Sequence, residues 1–183
     1  MTAKPPETLT LDRIPTPIGT ALVVTDEAGV LRAFNWTDYE DAMLKWIGRR
    51  YPKARLVEGQ GPLGPKFDAY FAGQTDAFDD IAWEGAGTAF QKKVWDTLCT
   101  IPAGETWSYA QLAEKIGRPT AVRAVGLANG SNPVALVVPC HRVIGSNGSL
   151  TGYGGGLHRK RWLLEHEGAG IRTDTVGSSQ ALL

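Results

Sequence analysis

The chain has little of what usually signals a special architecture. Its 183 residues include two cysteines, Cys99 and Cys140, which allow one disulfide at most and exclude the cross-linked framework of small secreted domains. Three histidines are present, and residues 1–85 contain neither histidine nor cysteine, so no Cys/His zinc site fits in that half. No apolar run approaches the ~20 residues of a bilayer-spanning helix. The opening MTAKPPETLT lacks the charged-then-apolar layout of a secretory signal. The expectation is a cytoplasmic protein with no membrane partner, no metal and no cofactor. The formal net charge is zero, so the total gives no hint of a polyanion partner.

The zero conceals an asymmetry. Residues 1–85 carry 9 Lys and Arg against 13 Asp and Glu, whereas residues 86–183 carry 10 against 6. The second half is therefore the candidate for a polyanion-binding surface, although scatter between two ordinary domains gives similar figures. The punctuation supports a division into an α/β domain at 1–85, a second domain at 86–168 and a polar tail at 169–183 expected to be disordered.

In the first half, TALVVTD and VLRAFNW are β-rich runs joined by EAG, a hairpin pattern. Thr37 and Glu40 stand in capping-box register before a helix with Tyr39, Met43, Trp46, Ile47 and Tyr51 at helical spacing, ended by Pro52. A strand near ARLV, a helix near PKFDAYFAG and a strand near FDDIAW complete the unit, and the glycine-rich EGAG at 84–87 reads as a linker. Nothing in this half suggests catalysis.

The second half opens with a capping box, Thr88 to Gln91, and a helix whose stripe is Phe90, Val94, Leu98 and Ile101; Cys99 reads as buried filler on it. A further box, Ser108 to Gln111, begins YAQLAEKIG, stopped by Gly117. After RPT comes AVRAVGLANG. Two short helices around a tight turn form a helix-turn-helix pattern. The second helix surrounds one projecting cation, Arg123, with the small residues Ala121, Ala124, Gly126 and Ala128, which let a backbone approach a surface; packing against a core is the competing explanation.

Next stands NPVALVVPCHRVIG. Val134 to Val138 reads as a buried strand delivering Cys140 and His141 side by side. The thiol could be core filler or half of a metal site, but partners at zinc-ligand spacing are missing. Adjacent strand residues point to opposite faces, so contact between thiol and imidazole calls for a bridging water or a turn beginning at Pro139. A glycine-rich loop, GSNGSLTGYGGG, precedes a last helix from about Leu157 to Glu167.

With PCHRV, the preceding NPV and the later GGL and WLLEHEG, residues from about Phe90 to Gly168 resemble the O6-alkylguanine-DNA alkyltransferases, the methylated-DNA–protein-cysteine methyltransferase family. The resemblance implies a ribonuclease-H-like α/β domain followed by a winged-helix-like domain that carries the site. It implies single-use transfer of an alkyl group from O6-alkylguanine in double-stranded DNA, and less efficiently from O4-alkylthymine, to Cys140 of a monomeric protein. Carried over by position, His141 is the base, Glu167 orients it, and Tyr109 and Arg123 assist nucleotide extrusion, with Ala124 and Gly126 on the DNA face. Asn132 braces the turn beside the site, and Val143, Tyr153, Gly154 and Gly155 line a roomy base pocket. Relatives with zinc hold it through N-terminal Cys and His ligands, which this chain lacks.

The chemistry suits these residues. Displacement at a saturated carbon wants a thiolate, and a thiol with pKa ~8.5 is only a few per cent ionised at neutral pH, so a base held by a carboxylate raises the competent fraction. The departing guanine leaves more readily if protonated, a task for the Tyr109 phenol. A duplex hides the target, so the base is flipped out at a cost of a few kcal/mol. Two other readings remain at this point: a helix-turn-helix regulator with an incidental cysteine, and a cysteine hydrolase.

Overall fold

The computed structural model describes residues 4–171. The chain divides after Ala86 into two compact units.

The first unit is built on a four-stranded sheet. Strands β1 (Thr8–Thr16), β2 (Gly19–Asp26) and β3 (Leu31–Trp36) form an antiparallel meander, and β4 (Arg55–Glu58) joins the outer edge of β1 in parallel. The order is β3-β2-β1-β4. In β1 the alternation places Leu9 and Leu11 inside and their neighbours outward. Every residue of β2 from Ala21 to Asp26 is buried, because helices cover both faces of the sheet. On one face Met43 and Ile47 of helix α1 (Glu40–Arg50) pack with Leu9, Leu11, Leu22, Val24 and Ala33. On the other, Phe67 of helix α2 (Gly64–Phe71) stacks on Phe34 at 5.9 Å between ring centroids and meets Phe78 at 4.9 Å.

Three expectations for this unit fail. Thr37 and Glu40 form no capping box: Thr37–Tyr39 is a 3-10 turn, α1 starts only at Glu40, and no side chain caps either element. The Glu40 carboxylate is engaged by Arg13 of β1, whose Nη1 donates to Oε2 at 3.0 Å, so it is not free to reach back to the backbone. Tyr39, expected on the apolar stripe, is exposed. The FDDIAW segment makes a series of turns, with Ile81 N–H donating to Phe78 O and Asp79 N–H to Asp76 O. Its last residue, Trp83, makes only an isolated bridge with Leu31. Phe78 and Ile81 are buried as the pattern required, but Asp79 and Asp80 turn the chain too tightly for a ladder.

The second unit begins with helix α3 (Ala89–Leu98), entered through the Thr88–Gln91 capping box. Gly87 is more than a linker: a Cβ there would lie 2.5 Å from Cη2 of Trp95. Trp95 is itself fixed, its Nε1–H donating to Ala128 O at 2.9 Å. Cys99, at the C-terminus of α3, is exposed rather than buried; the helix turns its core stripe through Val94, Trp95 and Leu98 and leaves the next residue outside. Strand β5 (Trp107–Ser108) leads through the Ser108–Gln111 box into helix α4 (Tyr109–Lys115). Gly117, with φ +75°, ends that helix in the left-handed region. Helix α5 (Val122–Gly130) completes the helix-turn-helix, and strand β6 (Val143–Ile144) pairs in parallel with β5. Helix α6 (Leu157–His166) closes the unit.

The segment Val134–Val138 is not a strand. It is a tight turn in which Val138 N–H donates to Val134 O at 3.0 Å and Leu136 takes φ +73°, a conformation that leucine rarely adopts. Val134, Leu136, Val137 and Val138 are buried, which is why the sequence mimics a strand, but the backbone bonds close locally. Of the expected tail, Ala169 and Ile171 pack beside Leu164, while residues 172–183 lie outside those described. Among the described residues no helix is long and apolar enough to cross a membrane.

Candidate active site and nucleic-acid face

The turn places Cys140. Asn132, two residues beyond α5, holds it from inside: Oδ1 accepts from Val134 N–H at 3.0 Å, and Nδ2 donates to Val138 O at 2.8 Å. Pro139 then starts a 3-10 turn, Cys140–Arg142, with Arg142 N–H donating to Pro139 O. This replaces the strand end anticipated from the sequence, and it leaves Cys140 buried rather than exposed. Asn129, on the buried face of α5, approaches the Cys140 carbonyl at 3.5 Å through Nδ2.

His141 and Glu167, 26 positions apart, meet in the interior. His141 Nε2 lies 2.8 Å from Glu167 Oε1. Both side chains are fully buried. An ionised carboxylate can only accept, so Nε2 carries the proton and Nδ1 the lone pair. Nδ1 has no hydrogen-bond partner among the described residues. Arg142 grips the same carboxylate, Nε to Oε2 at 2.9 Å and Nη2 to Oε1 at 3.0 Å, and its Nη1 donates to Ile101 O at 2.6 Å.

The electrostatics follow from this burial. Burial would raise the Glu167 pKa, but the charge and hydrogen bonds of His141 and Arg142 outweigh it and hold the carboxyl well below its usual range. Burial lowers the His141 pKa, with Glu167 opposing and Arg142 and Lys160 adding to the drop, so the imidazole is neutral at neutral pH. The Cys140 thiol is pushed up by burial, while the hydrogen bond from Asn132 and the charge on Lys160 pull it back without cancelling that effect. The resting pair is thus a protonated thiol and a neutral imidazole, not a preformed ion pair.

Tyr109 opens α4. Burial raises its phenol pKa, the hydrogen bond from Thr151 opposes this, and a charge on Cys140 would add to the rise. The Thr151 hydroxyl donates to Tyr109 OH at 3.5 Å, leaving the phenolic proton available. Gly126 lies beneath this ring: a Cβ there would sit 3.8 Å from Tyr109 Cδ1. Tyr153 is edge-on to His141, ring centroids 6.5 Å apart. Val143 is buried in the β5–β6 pair. Gly154 is exposed, with open space where a Cβ would go, whereas Gly155 is buried and its carbonyl accepts from Arg159 Nη1 at 3.0 Å. Arg123 and Ala124 stand apart from this cluster, on the exposed face of α5.

Arg142, Lys160 and Thr151 escaped the sequence reading. Lys160 is wholly buried, and its Nζ donates to Val143 O at 2.6 Å and to Thr151 O at 2.7 Å, tying the end of the cysteine turn to the glycine-rich loop. Burial lowers its pKa to about 8, with Cys140 opposing. Lys160, Leu163, Leu164 and Glu167 share one helical face by their spacing, and that signal was available.

A helix-turn-helix unit that buries a thiol beside a Glu-oriented imidazole defines a protein class with a cysteine nucleophile built into a nucleic-acid-binding scaffold. Residues 89–169 match the family described as 6-O-methylguanine DNA methyltransferase, DNA binding domain. The methylated-DNA–protein-cysteine methyltransferase of Shigella flexneri is 48% identical over 161 residues, covering 86% of this chain and 94% of that protein. The crystal structure of Mycobacterium tuberculosis O6-methylguanine methyltransferase superposes with TM-score 0.72 at 40% identity, covering 91% of this chain and 96% of that one. That of Mycobacterium tuberculosis OGT in complex with DNA gives 0.73 at 40% identity, covering 87% and 92%. The chain belongs to the methylated-DNA–protein-cysteine methyltransferase family.

Proposed function

We propose that this protein repairs alkylated duplex DNA by direct reversal. The alkyl group of O6-alkylguanine, and less efficiently of O4-alkylthymine, moves to Sγ of Cys140. The buried thiol beside a neutral imidazole with a free Nδ1 lone pair carries this reading. His141 Nδ1 takes the thiol proton, directly or through water, and the emerging imidazolium is stabilised by Glu167. The thiolate attacks the alkyl carbon in line, a C–S bond forms, and the C–O pair passes to the guanine, which the Tyr109 phenol protonates or hydrogen-bonds. Because the resting thiol is protonated, ionisation is coupled to substrate engagement. Asn132 and Lys160 stabilise the thiolate once formed.

The helix-turn-helix of α4 and α5 grips the duplex, and Arg123 fills the gap left by the extruded nucleotide. DNA as partner is supported by the complex of the Mycobacterium tuberculosis relative. The protein acts as a cytoplasmic monomer, needs no cofactor, and ends as a thioether that ordinary thiols do not reverse, so each molecule acts once. Incubation with a duplex carrying O6-methylguanine, followed by intact-protein mass, tests the reading. One methyl on Cys140 per protein is expected; no transfer, or repeated turnover on excess DNA, refutes it.

A further inference from the structure

Helix α5 carries a large apolar side chain on the side that its packing does not use. Among the described residues the exposed large hydrophobics are Tyr39, Leu56, Val57, Val122 and Leu127, and Leu127 is the most exposed at 58%. Two of these five lie on α5. The helix packs through Val125, Ala128 and Asn129. At about 100° per residue, Arg123 and Leu127 fall on the opposite side, while Val122 sits at the border of the packed face. The exposed face is therefore a single guanidinium with one large apolar side chain, Leu127, beside it.

Isolated exposed leucines are common and need no explanation. This one differs in position. It is one turn after Arg123 on the same face, beside exposed Ala124, on a helix with no acidic residue. Arg118, in the turn before α5, is exposed as well. An arginine on a helix free of acidic residues suits a polyanion, and a leucine beside it suits the part of a duplex that is not charged. Apolar side chains set against deoxyribose and base edges are a recurrent means of wedging and bending a duplex, compensated by the wider contact the bend allows.

We infer that Leu127 is a DNA-contacting residue in its own right, an apolar wedge that packs against sugar and base edges beside Arg123. The inference rests on the repair reading above and extends it: α5 holds the duplex by a sequence-independent apolar contact as well as by charge. Such a contact adds affinity without releasing counterions, so it leaves a signature distinct from that of a phosphate-binding cation.

The full-length protein is compared as wild type, Leu127→Ala, Leu127→Lys and Arg123→Ala. Undamaged duplex binding is followed by anisotropy across a salt series, and methyl transfer is followed on an O6-methylguanine duplex and with free O6-benzylguanine. Leu127→Ala should weaken duplex binding and slow duplex repair about tenfold, the loss of one well-packed leucine side chain. The slope of log affinity against log salt should stay at the wild-type value, while Arg123→Ala lowers it. Reaction with free O6-benzylguanine should stay within about twofold of wild type, since that substrate offers no duplex to hold. Leu127→Lys should bind no better than Leu127→Ala.

Wild-type duplex affinity in Leu127→Ala overturns the inference. Tighter binding with a steeper salt slope in Leu127→Lys also does so, by placing the residue opposite phosphate. A change in sedimentation of Leu127→Ala without a change in DNA binding would assign the side chain to a protein partner instead. Binding to undamaged duplex tests Leu127 even if the wild type transfers no methyl, which would count against the repair reading alone.

Discussion

Replacing Glu167 with glutamine changes one oxygen to an amide in the most tightly connected buried group of the site. Glu167 Oε1 accepts from His141 Nε2 at 2.8 Å and from Arg142 Nη2 at 3.0 Å, and Oε2 accepts from Arg142 Nε at 2.9 Å. A glutamine supplies one acceptor and one donor, so whichever way it is flipped a donor meets a donor. With the amide nitrogen toward Arg142 Nε, the guanidinium loses a charge-assisted bond and its counter-charge. With the nitrogen toward His141, the imidazole must accept at Nε2 and carry its proton at Nδ1, which removes the base. Breaking a buried pair by altering one partner costs about 3–5 kcal/mol, and a single bond to a charged group about 1.5–3 kcal/mol. Glu167→Gln should therefore destabilise the protein by about 3 kcal/mol at pH 7, measured by urea unfolding, and slow methyl transfer at least tenfold under single-turnover conditions. The pH dependence has a definite sign. The folded-state pKa of Glu167 is depressed, so its stabilisation is complete above the unfolded value of about 4.3 and is lost as pH falls toward the folded one. The gap between wild type and variant should accordingly narrow below about pH 4. A loss under about 1 kcal/mol, or a gap that stays constant down to pH 3, would refute this account of the buried network.

Three further outcomes are expected. Asn132→Ala removes the hydrogen bond that lowers the Cys140 pKa, so the alkaline limb of the rate of Cys140 alkylation by a small electrophile should move to higher pH; an unmoved limb would leave Asn132 only its role in the turn. Gly87→Ala forces a Cβ to within 2.5 Å of the Trp95 ring, which its bond to Ala128 O keeps from yielding, so urea unfolding should show a loss of about 1–3 kcal/mol. Arg123→Ala should reduce repair of duplex more than of single-stranded DNA, because an unstacked base needs no gap-filler; equal losses would reduce Arg123 to general affinity.

Much of the second unit was legible because its signals are local. The Thr88–Gln91 and Ser108–Gln111 boxes, the Gly117 stop and the helix-turn-helix spacing each depend on residues a few positions apart, and each forms as read. The Thr37–Glu40 pair has the same local pattern and fails, since Arg13 reaches across from β1 to take the carboxylate. Val134–Val138 misled for a related reason: burial alone resembles a strand, and only Asn132 and the positive φ of Leu136 turn the chain.

By itself, then, the sequence determined the α/β character of the first unit, the helix-turn-helix of the second, the family and the presence of Cys140, His141 and Glu167, because composition, caps and a dense motif are carried by short stretches of chain. Only the tertiary structure decided that Arg142 shares the carboxylate of Glu167, that Lys160 bridges Val143 and Thr151 beneath the cysteine, and that Cys140 is buried in a turn while Cys99 is exposed. Those outcomes depend on which distant groups share a low-dielectric interior. There an ion needs a partner or a carbonyl within hydrogen-bond reach, and a thiol's pKa is set by neighbours that sequence spacing does not name.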